Sequence, residues 1–402
     1  MIELKEQSKN ILVVTPRFPY PEAGACEQDR ADGIRQLQRL GYQVSVVAKY
    51  FDWQSAVEIK TAWAKEGVDV MLIPYKKHPH TMGEFLRRLV SPRSWDGAAG
   101  EFNDPEIQNA VRSKIFELNP AAVWFDYTYL WPLYHLAKEK HIPILVRSIN
   151  FEARHFLDED GRSLSTYLRS LPKFLTEHVT ARKADVLFSI TPAEEDQYRA
   201  VHAKKVQTLP LRSLYKKLGT HAVREHSAPL NIFFTGSTFT VAHNRRALEF
   251  VLELAPLLEK QFPGKFKIHI FGSKFPLDLE KSIPANVIKR GFVDDLDSAM
   301  QEMDIAIAPS FFGSGMQQKI FEPLARGFPT VTNLRGLAGY AFVPGEDVLV
   351  GGTAAEYVDA LGTLIDPACR LQLSQNAQRK SGLFFGQDVI DRVLRNCFSN
   401  IV

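Results

Sequence analysis

Residues Ile305–Thr332 read IAIAPSFFGSGMQQKIFEPLARGFPTVT. A short apolar run, a glycine-containing loop, an amphipathic segment closed by Gly327 and a second apolar run follow in turn. That is the strand–loop–helix–strand order of a βαβ unit in a parallel sheet. Gly313 and Gly315 let the loop backbone come close to a ligand. The helix behind the loop points its unpaired N–H groups at it, and those donors and the helix dipole stabilise a phosphate or diphosphate. Lys319 adds a full positive charge at the same end. Pro323 lacks an N–H and is expected within the first turn or so, which starts the helix near Lys319. Glu322 is placed to accept hydrogen bonds from a ribose, as an acidic residue does in dinucleotide folds. Singly, each residue has a plain structural reading: a turn glycine, a solvated lysine, a first-turn carboxylate. As a set at the carboxyl end of a strand they point to anion binding.

The same alternation extends outward. Strands are expected at Leu230–Thr235, Phe266–Phe271, Val287–Lys289, Asp304–Ala308 and Val348–Val350, with a helix over His243–Lys260 whose stripe is Ala247, Val251, Leu254 and Leu258. Thr353–Cys397 reads as helical. In the first half, strands are expected at Asn10–Thr15, Gln43–Ala48, Val68–Ile73, Ala121–Phe125, Ile142–Val146 and Asp185–Ile190. A helix over Cys26–Leu40 is stopped by Gly41. Ser213–Pro229 is polar and weakly periodic and reads as a linker. The expected fold class is α/β, with two Rossmann-like, doubly wound parallel sheets facing a cleft.

Two further loops sit at strand ends. Thr235–Thr238 precedes His243 and Asn244, the latter read first as an N-cap. Pro16–Ala25 is stiffened by prolines and made tight by Gly24. Neither is a GxGxxG turn, so nicotinamide or flavin binding is not supported.

The chain has 402 residues, which suits two domains. A formal net charge of +3 supports neither a nucleic-acid partner nor a membrane claim from overall charge. The 3 cysteines, Cys26, Cys369 and Cys397, are far apart and lack metal spacing, so no metal site is expected and a reducing compartment is. The first ten residues are polar and no apolar run is long enough to span a bilayer, so a cytoplasmic protein is expected.

The C-terminal half resembles the family 4 glycosyltransferases of the GT-B fold. The likeness is carried by Gly236, Asn244, Phe271-Gly272, Gly291-Phe292-Val293, Gly315, Lys319, Glu322 and Ala325-Arg326-Gly327-Phe328-Pro329-Thr330-Val331. In the first half it is carried by Pro19, Pro21, Gly24, Arg30 and Gly41-Tyr42. The resemblance implies a retaining, metal-independent transferase with a nucleoside-diphosphate sugar as donor substrate and no other cofactor. It implies an acceptor-side domain 1–212, a linker 213–229 and a donor domain 230–385, with a helix over 386–402 packing back on the first domain. The base would lie near Phe292 and Val293 and the ribose on Glu322. The diphosphate would lie near Gly24, Gly236, Lys319 and the backbone of Gly315, Met316 and Gln317, with His243 and Asn244 close by. Lys319, Glu322 and Asn150 are the catalytic candidates. The sequence departs from the family where a His is common and Ile149 stands, and where a Glu is common and Ser314 stands. Asn150 and Glu152 either line the cleft or cap the next helix.

Arg17, Asp126, Tyr127 and Glu152 are candidate acceptor contacts, and Arg147, Arg154 and Arg162 are candidates for an acidic acceptor. The acceptor is a glycan, a lipid-linked sugar or a small molecule. Lys76–Arg93 mixes basic and apolar residues at helical spacing. It reads either as a surface helix or as a peripheral contact with the inner face of a membrane. Two other functions stay open: a nucleotide-sugar-binding protein without catalysis, and a nucleotide-sugar epimerase.

Overall fold

Aliphatic runs bounded by Gly, Pro and Asn form parallel strands, and the polar-faced segments between them return as helices. The computed structural model describes residues 8–22, 24–76, 82, 90–226 and 229–399. The chain divides into two units, Met1–Arg212 with Ile390–Val402, and Ser213–Val389.

The first unit is built on β1 (Asn10–Arg17), β2 (Gln43–Tyr50), β3 (Asp69–Pro74), β4 (Ala122–Phe125), β5 (Ile144–Arg147), β6 (Val186–Ser189) and β7 (Val206–Thr208). Their order in the sheet is β3-β2-β1-β4-β5-β6-β7. The second unit uses β8 (Leu230–Thr238), β9 (Phe266–Ser273), β10 (Val287–Gly291), β11 (Ile305–Ala308), β12 (Thr330–Thr332) and β13 (Leu349–Val350), in the order β10-β9-β8-β11-β12-β13. Neighbours pair in parallel, for example β1 with β4 and β8 with β11. Parallel strands covered on both faces are apolar, as β4 and β11 are with every residue buried, whereas the edge strand β10 carries exposed Lys289 and Arg290. Leu230, Ile232 and Phe234 of β8 pack with Ala247, Val251, Leu254 and Leu258 of helix Ala242–Gln261, while Phe233 packs on the other face with Phe271, Met303 and Phe328.

In each sheet the order reverses beside the first strand. The chain leaves in opposite directions at β1/β4 and at β8/β11, opening a crevice at the carboxyl ends of those strands, where ligands of doubly wound sheets bind.

The stretch read as a linker folds onto the second unit. The Gly219 N–H donates to Ala325 O and the His221 N–H to Arg326 O, both at 2.9 Å. The His221 ring stacks on Phe328 at 3.7 Å, and burial pushes its imidazole down to about 4. Arg224 pairs with Asp304. At the C-terminus, helix Gln387–Phe398 places Asp391 against Gln36 (3.0 Å) and Arg39 (3.2 Å), and Phe398 against Tyr42.

Candidate functional site

At the β8/β11 switch point, the loop after β11 runs through Gly313 and Gly315, with φ of 92° and 79°. A side chain is strained in that region of backbone space, which is why both positions are glycine. The loop feeds helix Gln318–Arg326, whose N-cap is Gln317. Its last turn closes on Gly327 at φ 94°, as the sequence predicts. Pro323 lies in the second turn rather than the first. Its missing N–H leaves the Lys319 carbonyl without an i+4 donor, a loss the short helix tolerates because its apolar face, Ile320, Phe321 and Leu324, is fully buried.

The Lys319 side chain is mostly buried, and its hydrogen bond among the described residues goes to a neutral amide, Asn244 Oδ1, at 3.4 Å. Burial pushes the ammonium down to about 8. Asn244 is not an N-cap, a position Val241 holds without a side-chain bond. Asn244 lies in the first turn, where its Nδ2 donates to Thr238 O at 3.1 Å. The amide thereby ties the end of β8 to the lysine.

Glu322 is buried, and its carboxylate is already engaged. It accepts from Gln318 Nε2 (2.6 Å) and from Arg326 Nε (2.9 Å) and Nη2 (2.6 Å). Arg326 also pairs with Asp297. Arg326 was not singled out from the sequence, although its i,i+4 spacing from Glu322 is the signal that would have found it.

The other donor-side candidates gather on the same loops or close to them. Met316 is buried, with Tyr340 donating to its sulfur at 3.8 Å. Gln317 Nε2 donates to Ser310 Oγ at 2.9 Å, and its buried Oε1 has no partner among the described residues. Gly315 is buried. His243 meets Phe312 edge-on at 6.5 Å. Gly236 lies in β8, where a Cβ would come within 2.8 Å of the Phe239 ring. Phe292 follows β10 with 72% of its surface exposed, whereas Val293 packs against the Phe233–Phe271–Phe328 cluster.

The β1/β4 switch point is furnished differently. Gly24 is the extended N-cap of helix Ala25–Arg39 and makes no side-chain cap bond. Arg17, at the end of β1, pairs with Glu27 and lies over the Phe51 and Trp53 rings. Tyr127 stacks on Tyr129 at 4.2 Å, and its hydroxyl donates to Glu152 Oε1 at 2.6 Å. Asn150 Nδ2 reaches the same oxygen at 3.4 Å. Asn150, Glu152 and Tyr127 therefore form one cluster, with Glu152 in the first turn of helix Glu152–Asp160.

Asp126 is not part of that surface. It is 2% exposed and accepts from Trp124 Nε1 at 2.7 Å, with Arg212 at 3.7 Å. Arg147 is likewise removed from any acceptor role. It is fully buried, donates to Pro210 O (3.0 Å) and shares Asp29 with Arg212. Two guanidinium groups hold the Asp29 carboxyl down at about 2 despite its burial. Arg162 pairs with Asp158 at the surface. Ile149 is buried in the core.

Glu177 and Glu194 are buried carboxyls that the sequence did not reveal. Glu177 accepts from the Glu152 N–H (2.9 Å) and the Tyr198 hydroxyl (2.6 Å), and Glu194 accepts from the Phe151 N–H (3.0 Å). Burial raises both to about 8, so they position residues 150–152 as neutral acids.

The basic stretch Lys76–Arg93 lies largely outside the described residues. A different segment shows an unusual face. Helix Leu164–Lys183 buries Thr166, Ser170, Thr176, Glu177 and Thr180 and exposes Leu164, Tyr167, Leu168, Leu171 and Phe174. Among the described residues no helix is long and apolar enough to cross a membrane, and no group of three or more His, Cys, Asp and Glu side chains could hold a metal ion.

Residues 229–367 match the family model described as glycosyl transferases group 1. Sucrose-phosphate synthase from Thermosynechococcus elongatus superposes with a TM-score of 0.69 at 14% identity, over 98% of each chain. TarM, from S. aureus, gives 0.69 at 11% identity over 99% of this chain and 100% of that one. Anabaena HepE in complex with UDP gives 0.66 at 15% identity over 97% and 100%. No curated protein sequence matches the chain. The likenesses show the fold, two Rossmann-like parallel-sheet domains of the GT-B type, and the stretch that the family model matches spans the second sheet.

Proposed function

We propose that the protein transfers a sugar from a nucleoside-diphosphate donor held by the second unit to an acceptor held by the first. The observation that carries this is Lys319, a mostly buried ammonium whose partner is a neutral amide, set where a helix N-terminus and a glycine loop meet. An unpaired buried cation is costly, and a diphosphate offsets that cost. Uridine nucleotides are the first to test, because HepE structures hold UDP and UDP-glucose.

In this reading the bond from the anomeric carbon to the diphosphate oxygen breaks, and the diphosphate keeps the electron pair. Lys319 and the N–H groups at Gly315–Lys319 meet the developing charge. The acceptor oxygen forms the new glycosidic bond and loses its proton, for which Glu152 is the carboxylate nearest Tyr127 and Asn150. Glu322 keeps one of its roughly four acceptor directions for a ribose hydroxyl, since Gln318 and Arg326 occupy three. Exposed Phe292 offers a face for the base. Retention and independence of metal belong to this reading through the family resemblance.

The inverted face of helix Leu164–Lys183 supports a peripheral membrane contact. Its exposed apolar side chains are accompanied by Arg169, Lys173, Arg182 and Lys183, and its one carboxylate, Glu177, is buried. The occupant is an anionic bilayer surface, which suits a lipid-linked acceptor. Flotation with vesicles containing phosphatidylglycerol tests it. Binding lost in Leu168→Glu/Leu171→Glu supports it, and an unchanged profile or a concentration-dependent dimer removes it.

Isothermal titration of UDP and UDP-glucose into wild type, Lys319→Met and Glu322→Gln tests the donor site. Binding that survives both substitutions sinks the assignment. Ile149, a buried apolar residue where the family commonly has His, favours one competing reading: nucleotide binding without transfer. Tight UDP binding with no product across phosphorylated, neutral and lipid-linked acceptors would establish it.

A further inference from the structure

Three arginines of the first unit are buried near the β1/β4 switch point: Arg30, Arg147 and Arg212. Arg147 and Arg212 share Asp29. Arg30 is 6% exposed, its Nε has no hydrogen-bond partner, and among the described residues no carboxylate lies within ion-pair distance of it. An arginine cannot shed its proton at any working pH, so this charge persists in a buried place. Its Cζ lies 5.9 Å from the centre of the Tyr127 ring, which offers only a weak cation–π partner.

The Asp126 carboxylate attracts this charge from beyond ion-pair distance, and Arg17 repels it. Arg30 sits in helix Ala25–Arg39 and its side chain leans toward the N-terminus of that helix. There it faces Cys26 of the first turn and Arg17 at the end of β1, and the two guanidinium groups repel one another. Glu27 answers Arg17. Asp126 is engaged by Trp124 and Arg212, and Glu152 by the hydroxyl of Tyr127. The Tyr129 ring stacks on Tyr127, which puts its phenol on the same surface. The helix N-terminus, capped by a glycine without a side-chain bond, contributes further donors.

We propose that Arg30, with Arg17, Tyr129 and the N-terminus of helix Ala25–Arg39, binds an anionic group, a phosphate or carboxylate, borne by the acceptor. As an acceptor subsite this rests on the transferase reading above; as an anion site it does not. The chemistry fits a guanidinium fork, which takes two oxygens of a phosphate or carboxylate at once. The acceptor class is then an acidic one: a sugar phosphate, a phosphate-bearing lipid carrier or a uronic acid.

The test uses the full chain and inorganic phosphate as the first probe. Thermal unfolding is followed against phosphate concentration in Lys319→Met, which removes the ammonium beside the glycine loop of the second unit, and in Lys319→Met/Arg30→Gln. Phosphate should raise the Tm of the first protein and leave that of the second unchanged, with Arg30→Lys retaining part of the shift. Without phosphate, Arg30→Gln should unfold at or above the wild-type temperature, because it removes an unpaired buried charge. A lower Tm with an undiminished phosphate shift would make Arg30 a structural residue and overturn the proposal. In turnover, Arg30→Gln should raise KM for phosphate- or carboxylate-bearing acceptors by about tenfold or more while the Kd for UDP stays fixed. An equal loss of UDP affinity would assign the anion to the donor and overturn the acceptor subsite. A wild type that turns over nothing defeats the transferase reading, yet the phosphate arm still decides whether the anion site exists.

Discussion

The carboxyl ends of β1/β4 and of β8/β11 hold the same place in the same strand order, and they are built from opposite materials. The second unit offers glycines, neutral amides and one lysine whose nearest partner is Asn244. The first offers tyrosines, carboxylates and arginines, many locked into buried pairs such as Asp29 with Arg147 and Arg212. A shared fold therefore does not imply a shared task. Backbone donors and a lone cation suit a diphosphate of any sugar. A crowded set of side chains suits one particular acceptor.

The largest effect should come from breaking the rigid half. Asp29→Asn removes the carboxylate that Arg147 and Arg212 share, leaving Arg212 with Asp126 at 3.7 Å, a loss of about 3–5 kcal/mol. Denaturant unfolding should show the first unit melting early, while the folded second unit keeps its affinity for UDP. Equal destabilisation of both units would contradict the division of the chain into two units. Because Asp29 is held near 2, its contribution is present above its unfolded value near 3.8 and fades as pH falls toward 2.

Next in size, Lys319→Met should lower kcat/KM by about a hundred- to a thousandfold, the usual weight of one charge-stabilising donor. Stability should not fall with it, since the substitution removes a buried ammonium. A variant that loses both together would mean Lys319 holds the fold rather than the donor.

The two halves should also answer pH on opposite sides of neutrality. Glu177 and Glu194 are raised to about 8, above an unfolded value near 4.5. Their contribution is whole below 4.5 and is lost as pH rises toward 8, so the first unit should weaken over that range. Glu177→Gln should flatten the slope. Lys319 runs the other way: pushed down to about 8 from 10.5, it makes the empty second unit more stable as pH rises from 8 to 10.5. A bound diphosphate restores its proton, so UDP affinity should fall above pH 8, by at most about tenfold per pH unit. Calorimetry in two buffers of different ionisation enthalpy would read the proton uptake directly.

The sequence showed one half of the comparison better than the other, for a physical reason. The second-unit loop is local: strand, glycine turn, Lys319, Glu322 and Gly327 lie within about two dozen consecutive residues, and periodicity with turn chemistry exposes them. The stripe Ala247, Val251, Leu254 and Leu258 was legible in the same way. The first-unit cluster is assembled from residues far apart in the chain. Asp29 meets Arg212, and Glu177 meets the N–H of Glu152, only after the sheet has formed. No spacing rule joins such pairs. Asp126 and Arg147 looked available because polar residues at strand ends often are, and here buried partners use them. The polar stretch 213–229 read as a linker because its contacts with Ala325, Arg326 and Phe328 leave no periodic trace.

The smallest effect divides the second unit itself. Gly291-Phe292-Val293 follows the edge strand β10, and its two apolar side chains have different fates. Val293 packs against the cluster that includes Phe233, Phe271 and Phe328, so Val293→Ala should act on stability. Phe292 is exposed, with nothing in the fold requiring an aromatic ring there. A stacked base is worth about 1–3 kcal/mol, and an exposed ring stands at the low end. Phe292→Ala should then weaken UDP about fivefold and leave inorganic pyrophosphate untouched, whereas Lys319→Met weakens both. Equal affinities of Phe292→Ala and wild type for UDP would place the base elsewhere. The diphosphate assignment would stand even so, because it rests on Lys319 and the loop before it rather than on the ring.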